Sequence, residues 1–149
     1  MKATPTGNPA RRTMALLALA AVVVAGCGGS GPASRDSGVE GVPIPAEAEE
    51  FGRERGARYY EAPRMSYGDI VAFYDRAMPV SRGFRDWSLC ATGEEVLESP
   101  NERYTYRAYE RGPDEALWVM VIDSDTSSVG TFIEISTGPT ARAGVGQFC

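Results

Sequence analysis

The sequence contains no histidine, and no lysine follows Cys27. Without histidine the chain lacks the commonest general base and the commonest metal ligand of proteins. The segment after Cys27 holds 12 arginines and all 20 acidic residues, which gives it a net charge of −8. Nucleic-acid binding requires a clustered positive surface instead. We therefore expect no nucleic-acid partner, no metal, no cofactor and no enzymatic activity.

The sequence also lacks an apolar run long enough to span a membrane. Residues 14–26 form a run of 13 that follows a basic segment without acidic residues, whereas a spanning helix needs about 20 apolar residues. A short run that ends in small residues after a positive segment is typical of a cleaved secretory signal.

The end of this run, Val24-Ala25-Gly26-Cys27, resembles the lipobox of bacterial lipoproteins. The resemblance implies cleavage after Gly26, a diacylglyceryl group on the Cys27 sulfur and an acyl chain such as palmitate on the freed amine. Several acyl chains on one residue hold a protein at a membrane far better than one. We therefore expect a signal peptide over residues 1–26 and a location at the cell membrane, lipid-anchored on the extracytoplasmic side. Residues 27–41, rich in Gly, Ser and Pro, are interpreted as the lipidated cysteine and a flexible tether.

Residues 42–149 have the composition of a single small domain. Ser66 and Asp69 predict a capping box at the start of a helix that Pro79 ends. The apolar face of this helix follows a 3.6-residue period and comprises Ile70, Phe73, Tyr74, Ala77 and Met78.

Period-two patterns after Gly83 predict strands over residues 84–90, 103–111, 116–123 and 131–136, with Ile133 and Ile135 inward. Tyr-rich residues 57–62, and more weakly 49–53, also favour strands. The expected fold class is α+β: one helix packed on a mostly antiparallel five- or six-stranded sheet, a two-layer sandwich.

The stretches "VPIPAEAE" and "SYGDIVAFYDRAMPVSRGF" are similar to a small domain common in bacterial lipoproteins of the actinobacterial type. In that domain a proline-containing lead-in precedes a helix that ends in a Phe-Tyr pair, here Phe73-Tyr74. A Gly-Trp pair follows before a meander of strands, and this sequence departs from it with Gly83-Phe84. The resemblance covers about residues 42–84. It implies the fold and the extracytoplasmic location, and it supplies no catalytic residues.

Once Cys27 is lipidated, Cys90 and Cys149 remain as a pair. Outside the cytoplasm such a pair indicates a disulfide, which would fasten the end of the chain to a strand. A thiol nucleophile is the alternative, although it would need a base or a positive partner.

A row of arginines, Arg103, Arg107 and Arg111, lies on one face of a predicted strand. These side chains could bind an anionic ligand. The alternative is a solvated face whose arginines pair with acidic residues of adjacent strands.

Trp118, Met120 and Phe132 are expected on the sheet face opposite the helix, beside Tyr109. Exposed aromatic and methionine side chains mark contact surfaces, unless another segment, such as the C-terminal tail, covers them. The leading hypothesis is a non-enzymatic domain that binds an envelope protein through these residues. The alternative is a carrier or sensor of a small ligand held between helix and sheet, under Phe73 and Tyr74.

Overall fold

The computed structural model describes residues 33–96, 102–124, 130–139, 141 and 149. The predicted signal peptide, Cys27 and residues 28–32 of the predicted tether lie outside them. Within the described ranges, no helix has both the length and the hydropathy that a membrane crossing requires.

A six-stranded antiparallel sheet and one helix dominate the described part of the chain, and a two-stranded hairpin precedes them. The elements in chain order are β1 (Ser34–Asp36), β2 (Pro43–Pro45), β3 (Glu49–Glu54), β4 (Ala57–Glu61), α1 (Tyr67–Ala77), β5 (Ser88–Val96), β6 (Glu102–Glu110), β7 (Ala116–Ser124) and β8 (Phe132–Thr137). The strand order of the large sheet is β3-β4-β8-β7-β6-β5, and each neighbouring pair is antiparallel. The α+β class is confirmed.

The N-terminal boundary of the folded part differs from the prediction of a flexible tether up to residue 41. β1 pairs with β2, and the buried Ser37 accepts a 2.7 Å hydrogen bond from the Tyr60 hydroxyl through its carbonyl. The turn between the strands uses positive φ angles at Gly38 and Gly41, which glycine adopts without steric cost. Tight hairpins and flexible linkers share this Gly-rich composition. Composition alone therefore does not distinguish a hairpin from a tether.

Helix α1 begins and ends as its sequence predicts. The Ser66 side chain accepts a hydrogen bond from the Asp69 backbone N–H, and the Asp69 carboxylate accepts one from the Ser66 backbone N–H. This capping box satisfies donors that the first turn would otherwise leave free. The helix ends at Ala77, directly before Met78 and Pro79.

The apolar face of α1 packs on one face of the large sheet, which we call the helix face. Phe73 and Tyr74 are buried there, with their rings edge to face at 5.2 Å. Within the same core cluster lie sheet residues that are all less than 2% exposed: Tyr60, Tyr109, Leu117, Val119, Val121, Ile133 and Ile135. The predicted inward orientation of Ile133 and Ile135 is confirmed.

Strand β5 begins at Ser88, four residues later than the predicted strand over residues 84–90. Phe84 and Trp87 exchange backbone hydrogen bonds of 3.0 and 2.9 Å across a tight turn, with Arg85 at φ 55°. Phe84 and Trp87 are the large apolar residues that favoured a strand here. The turn packs both of them against the core cluster.

Candidate functional site

The three arginines of the predicted row lie on or beside the helix face, and each pairs with a carboxylate. Arg103 contacts Asp123 on β7 at 3.1 Å, and Arg111 contacts Asp86 at 2.9 Å. Their guanidinium carbons also stack over aromatic rings, Arg103 over Tyr67 and Arg111 over Trp87, each at 4.3 Å. These contacts agree with the predicted pairing to acidic residues.

Arg107, the middle member of the row, departs from the prediction of a solvated face because its side chain is only 2% exposed. One of its nitrogens, Nη2, pairs with Asp75 of α1, and the guanidinium stacks over Tyr74 at 5.7 Å. Its Nε and Nη1 atoms and the hydroxyls of Tyr74 and Tyr109 are buried without a hydrogen-bond partner in the described part of the chain. Burial raises the pKa of Tyr109 to about 12, so its hydroxyl stays protonated at neutral pH. This site between helix and sheet is therefore rich in unused donors.

The sheet face opposite α1, which we call the outer face, carries Trp118, Met120 and Phe132 as predicted. The register fixes this placement, because Met120 is opposite Glu134, and Phe132, two residues before Glu134, is opposite Ile122. The expectation that Tyr109 lies beside them is wrong. Tyr109 is opposite Leu117 and buried in the helix-face core. Neighbouring residues of a strand point to opposite faces, so Ala108 takes the place next to Trp118.

One end of the outer face is covered. Trp118 is 8% exposed and stacks on Tyr106, with ring centroids 5.2 Å apart and planes 3° from parallel. Ala141, which is 1% exposed, belongs to the same cluster. Trp118 therefore stabilises this end of the sheet and is not an exposed contact residue.

A disulfide joins Cys90 of β5 to Cys149 across a Cα separation of 5.5 Å, which lies within the usual range for such bonds. The Glu110 carboxylate lies within 4.8 Å of both sulfurs. Cysteine binds a metal as its thiolate. Because both sulfurs form the disulfide, neither cysteine is available as a metal ligand here. The bond also removes the thiol on which the nucleophile alternative depended.

The other end of the outer face carries an aromatic patch formed by Phe51, Tyr59 and Phe132. Phe51 lies edge to face with Phe132 at 5.8 Å and tilted against Tyr59 at 6.2 Å. Phe51 is 44% exposed, whereas Tyr59 and Phe132 are half-buried. The half-buried Met120 lies opposite Glu134 and packs against the covered cluster around Trp118, not against the patch.

Phe51 and Tyr59 were not among the predicted site residues. The available signal was a single large aromatic residue among charged residues in "EEFGRE". A β-bulge between Glu50 and Gly52 aims Phe51 toward the outer face, and bulges of this kind re-aim side chains. Gly52 leaves room for the Tyr59 ring, which lies 3.3 Å from the position that a Cβ would occupy.

Two carboxylates border the aromatic patch. Glu134 lies directly opposite Tyr59 in the register, and Ser136 donates a 3.3 Å hydrogen bond to it. Burial raises the pKa of Glu134, the Ser136 hydrogen bond opposes this, and the neighbouring charge of Glu54 raises it further. Burial and the same two carboxylates also raise the pKa of the Tyr59 hydroxyl. The patch is thus an apolar surface bordered by the carboxylates of Glu54 and Glu134.

Comparison of the chain with protein-family models, with curated proteins and with solved structures gives no match. The candidate function therefore rests on the residues themselves.

The buried Arg107 predicts an asymmetric response to mutation. Asp75→Ala leaves a buried charge without its partner and should lower the free energy of unfolding by about 1–3 kcal/mol. Arg107→Met removes the buried charge and its unused donors together. It should therefore lower the free energy of unfolding by less than Asp75→Ala does, or raise it. Urea denaturation measures both. Asp86→Ala, which removes an exposed partner of Arg111, is the control and should change little. A larger loss for Arg107→Met than for Asp75→Ala would contradict this account.

The disulfide should stabilise the domain mainly by restricting the unfolded chain. For a sequence separation of 59 residues, Cys149→Ser should lower the free energy of unfolding by about 4 kcal/mol on the chain-entropy estimate. Urea denaturation with and without reductant measures this. Reductant should lower the free energy of unfolding of the native chain and leave that of Cys149→Ser unchanged. An intact mass that shows two free thiols in the unreduced protein would refute the bond.

Proposed function

We propose that the protein is a lipid-anchored extracytoplasmic domain that binds an envelope protein through the aromatic patch on its outer face, without catalysis. The location rests on the lipobox resemblance at Cys27 and on the basic and apolar segments before it. The binding role rests on one observation: three aromatic side chains cluster at a sheet face with Phe51 44% exposed.

The two faces of the sheet differ in a way that supports this proposal. We infer a two-layer sandwich in which α1 is the second layer and fills the helix face with its apolar side chains. Ala141, in a helical conformation, packs at the Trp118 end of the outer face, and Phe51 at the other end is 44% exposed. Large apolar side chains left at such a surface are typical of protein contact sites.

A small-ligand carrier is the alternative, and the core packing argues against it. A ligand held between helix and sheet would need space under Phe73 and Tyr74. Both side chains are at most 3% exposed and pack within one continuous cluster that includes Val119 and Ile133. A ligand there would have to separate α1 from the sheet.

The anchoring part of the proposal predicts that membrane attachment depends on one sulfur atom. Cys27→Ser in the expressing cell should move the protein from the membrane fraction to the soluble or secreted fraction and abolish metabolic labelling with palmitate. Carbonate-washed membranes probed for the protein give the measurement. Ser30→Ala is the matched control, because it changes a residue three positions from Cys27 without removing a sulfur, and it should leave both readouts unchanged. Labelling that survives Cys27→Ser would overturn the anchor.

The binding part predicts that partners are lost with the patch. Chemical cross-linking in intact cells followed by capture should recover a partner with the native chain. Recovery should fall at least about tenfold with the double variant Phe51→Ala, Phe132→Ala, since central aromatic residues dominate interface energy. Val80→Ala is the control, because Val80 is 47% exposed but lies between α1 and β5, outside the sheet. Unchanged recovery with the folded double variant would refute the binding site.

A further inference from the structure

The charged side chains of the large sheet are separated by sign between its two faces. Residues paired across neighbouring strands share a face, so the register assigns each charged side chain to one side. Every charged strand residue on the outer face is a glutamate: Glu49, Glu54, Glu61, Glu95, Glu102, Glu110 and Glu134.

The arginines of the same strands all lie on the helix face. Arg53 is opposite Arg58, Arg58 is opposite the buried Ile135, and Arg107 is opposite Val119. Arg103 shares the face of its partner Asp123. The ion pairs of the strand arginines therefore use carboxylates of the helix face and of α1, and leave the outer-face glutamates to interact with other groups.

Near the aromatic patch this separation places two glutamates without an arginine of the strands on the same face. Glu54 and Glu134 form no ion pair within the described ranges. Glu134 is half-buried and Glu54 is exposed. A cation placed beside the patch would be attracted by both carboxylates.

The rings of the patch favour the same occupant. The faces of Phe and Tyr rings are negative and attract a cation within about 6 Å of the ring centroid. Phe51, Tyr59 and Phe132 surround the surface that Glu54 and Glu134 border. An anion or an acidic segment would meet repulsion from every strand charge on this face.

We infer that the partner presents a lysine or arginine side chain, whose cationic head lies between the aromatic patch and the carboxylates of Glu54 and Glu134. This inference rests on the proposed function and adds the chemistry of the partner: a protein segment with a basic residue at the centre of its contact surface and apolar residues around it. The alkyl stem of such a side chain packs on rings while its charged end contacts the carboxylates.

The test compares two small probes that differ in charge. The full-length protein in neutral detergent is titrated with N-acetyl-lysine methylamide and with the uncharged N-acetyl-norleucine methylamide, and backbone amide chemical shifts are followed. The lysine probe should shift the amides around Phe51, Tyr59 and Phe132, and should bind about tenfold more tightly than the norleucine probe. Its binding should weaken as salt is raised, because salt screens exposed charges.

Variants locate the binding to the proposed groups. Glu134→Gln and Phe51→Leu should each weaken the lysine probe by about threefold to tenfold, with the remaining amide spectrum unchanged as proof of folding. Glu94→Gln is the matched control, because Glu94 is exposed on β5 but lies on the helix face, opposite Thr105. Its affinity for the probe should equal that of the native chain.

The outcomes separate this inference from the proposed function. Equal affinity for both probes, or lysine binding unaffected by Glu134→Gln and Phe51→Leu, overturns the cationic partner. If that occurs while cellular capture still depends on Phe51 and Phe132, the partner-binding function stands with an uncharged contact. If the lysine probe binds as expected but capture does not depend on the patch, the cation site stands and the envelope partner is lost.

Discussion

The pleat of the three central strands is the constraint on which the rest of the molecule depends. Successive residues of β6, β7 and β8 alternate between the two faces, so one register decides every assignment at once. With Val119 opposite Ile135, Val119, Val121, Ile133 and Ile135 face α1, and Met120 and Phe132 are directed away from it. A shift of one residue in β8 would place Glu134 and Ser136 beneath the helix.

The same alternation explains why a charged side chain is buried beneath α1. Arg107 occupies a helix-face position of β6 between Thr105 and Tyr109, and it cannot reach the outer face without changing the register. Its charge is compensated through Asp75, a helix residue whose side chain is 61% exposed. The ion pair thus links α1 to β6 at the margin of the apolar core. Its unused donors reduce the stabilisation that the pair provides.

Features with strong local periodicity could be predicted from the sequence. The capping box of α1, its apolar face and the inward isoleucines of β8 each follow from residues a few positions apart. The disulfide followed from cysteine counting. The features that failed depend on the partner strand: Tyr109 was placed with Trp118 although the register pairs Trp118 with Ala108. The predicted contact surface omitted Phe51, because a bulge turns this residue toward Phe132 and period-two counting does not detect bulges.

The first strand begins close to Cys27 in the sequence, and this limits how the outer face can be oriented relative to a membrane. Because β1 begins at Ser34, only residues 28–33 separate it from Cys27, and a chain of that length spans at most about 25 Å. Under the proposed anchoring, the domain is therefore held within a few Debye lengths of the lipid surface, since the Debye length is about 8 Å at physiological salt. Where the outer leaflet carries anionic lipid, it would repel a face whose strand charges are all glutamates. The short connection and the charge separation together favour an orientation in which the aromatic patch points away from the membrane, where a basic segment of an envelope protein can reach it.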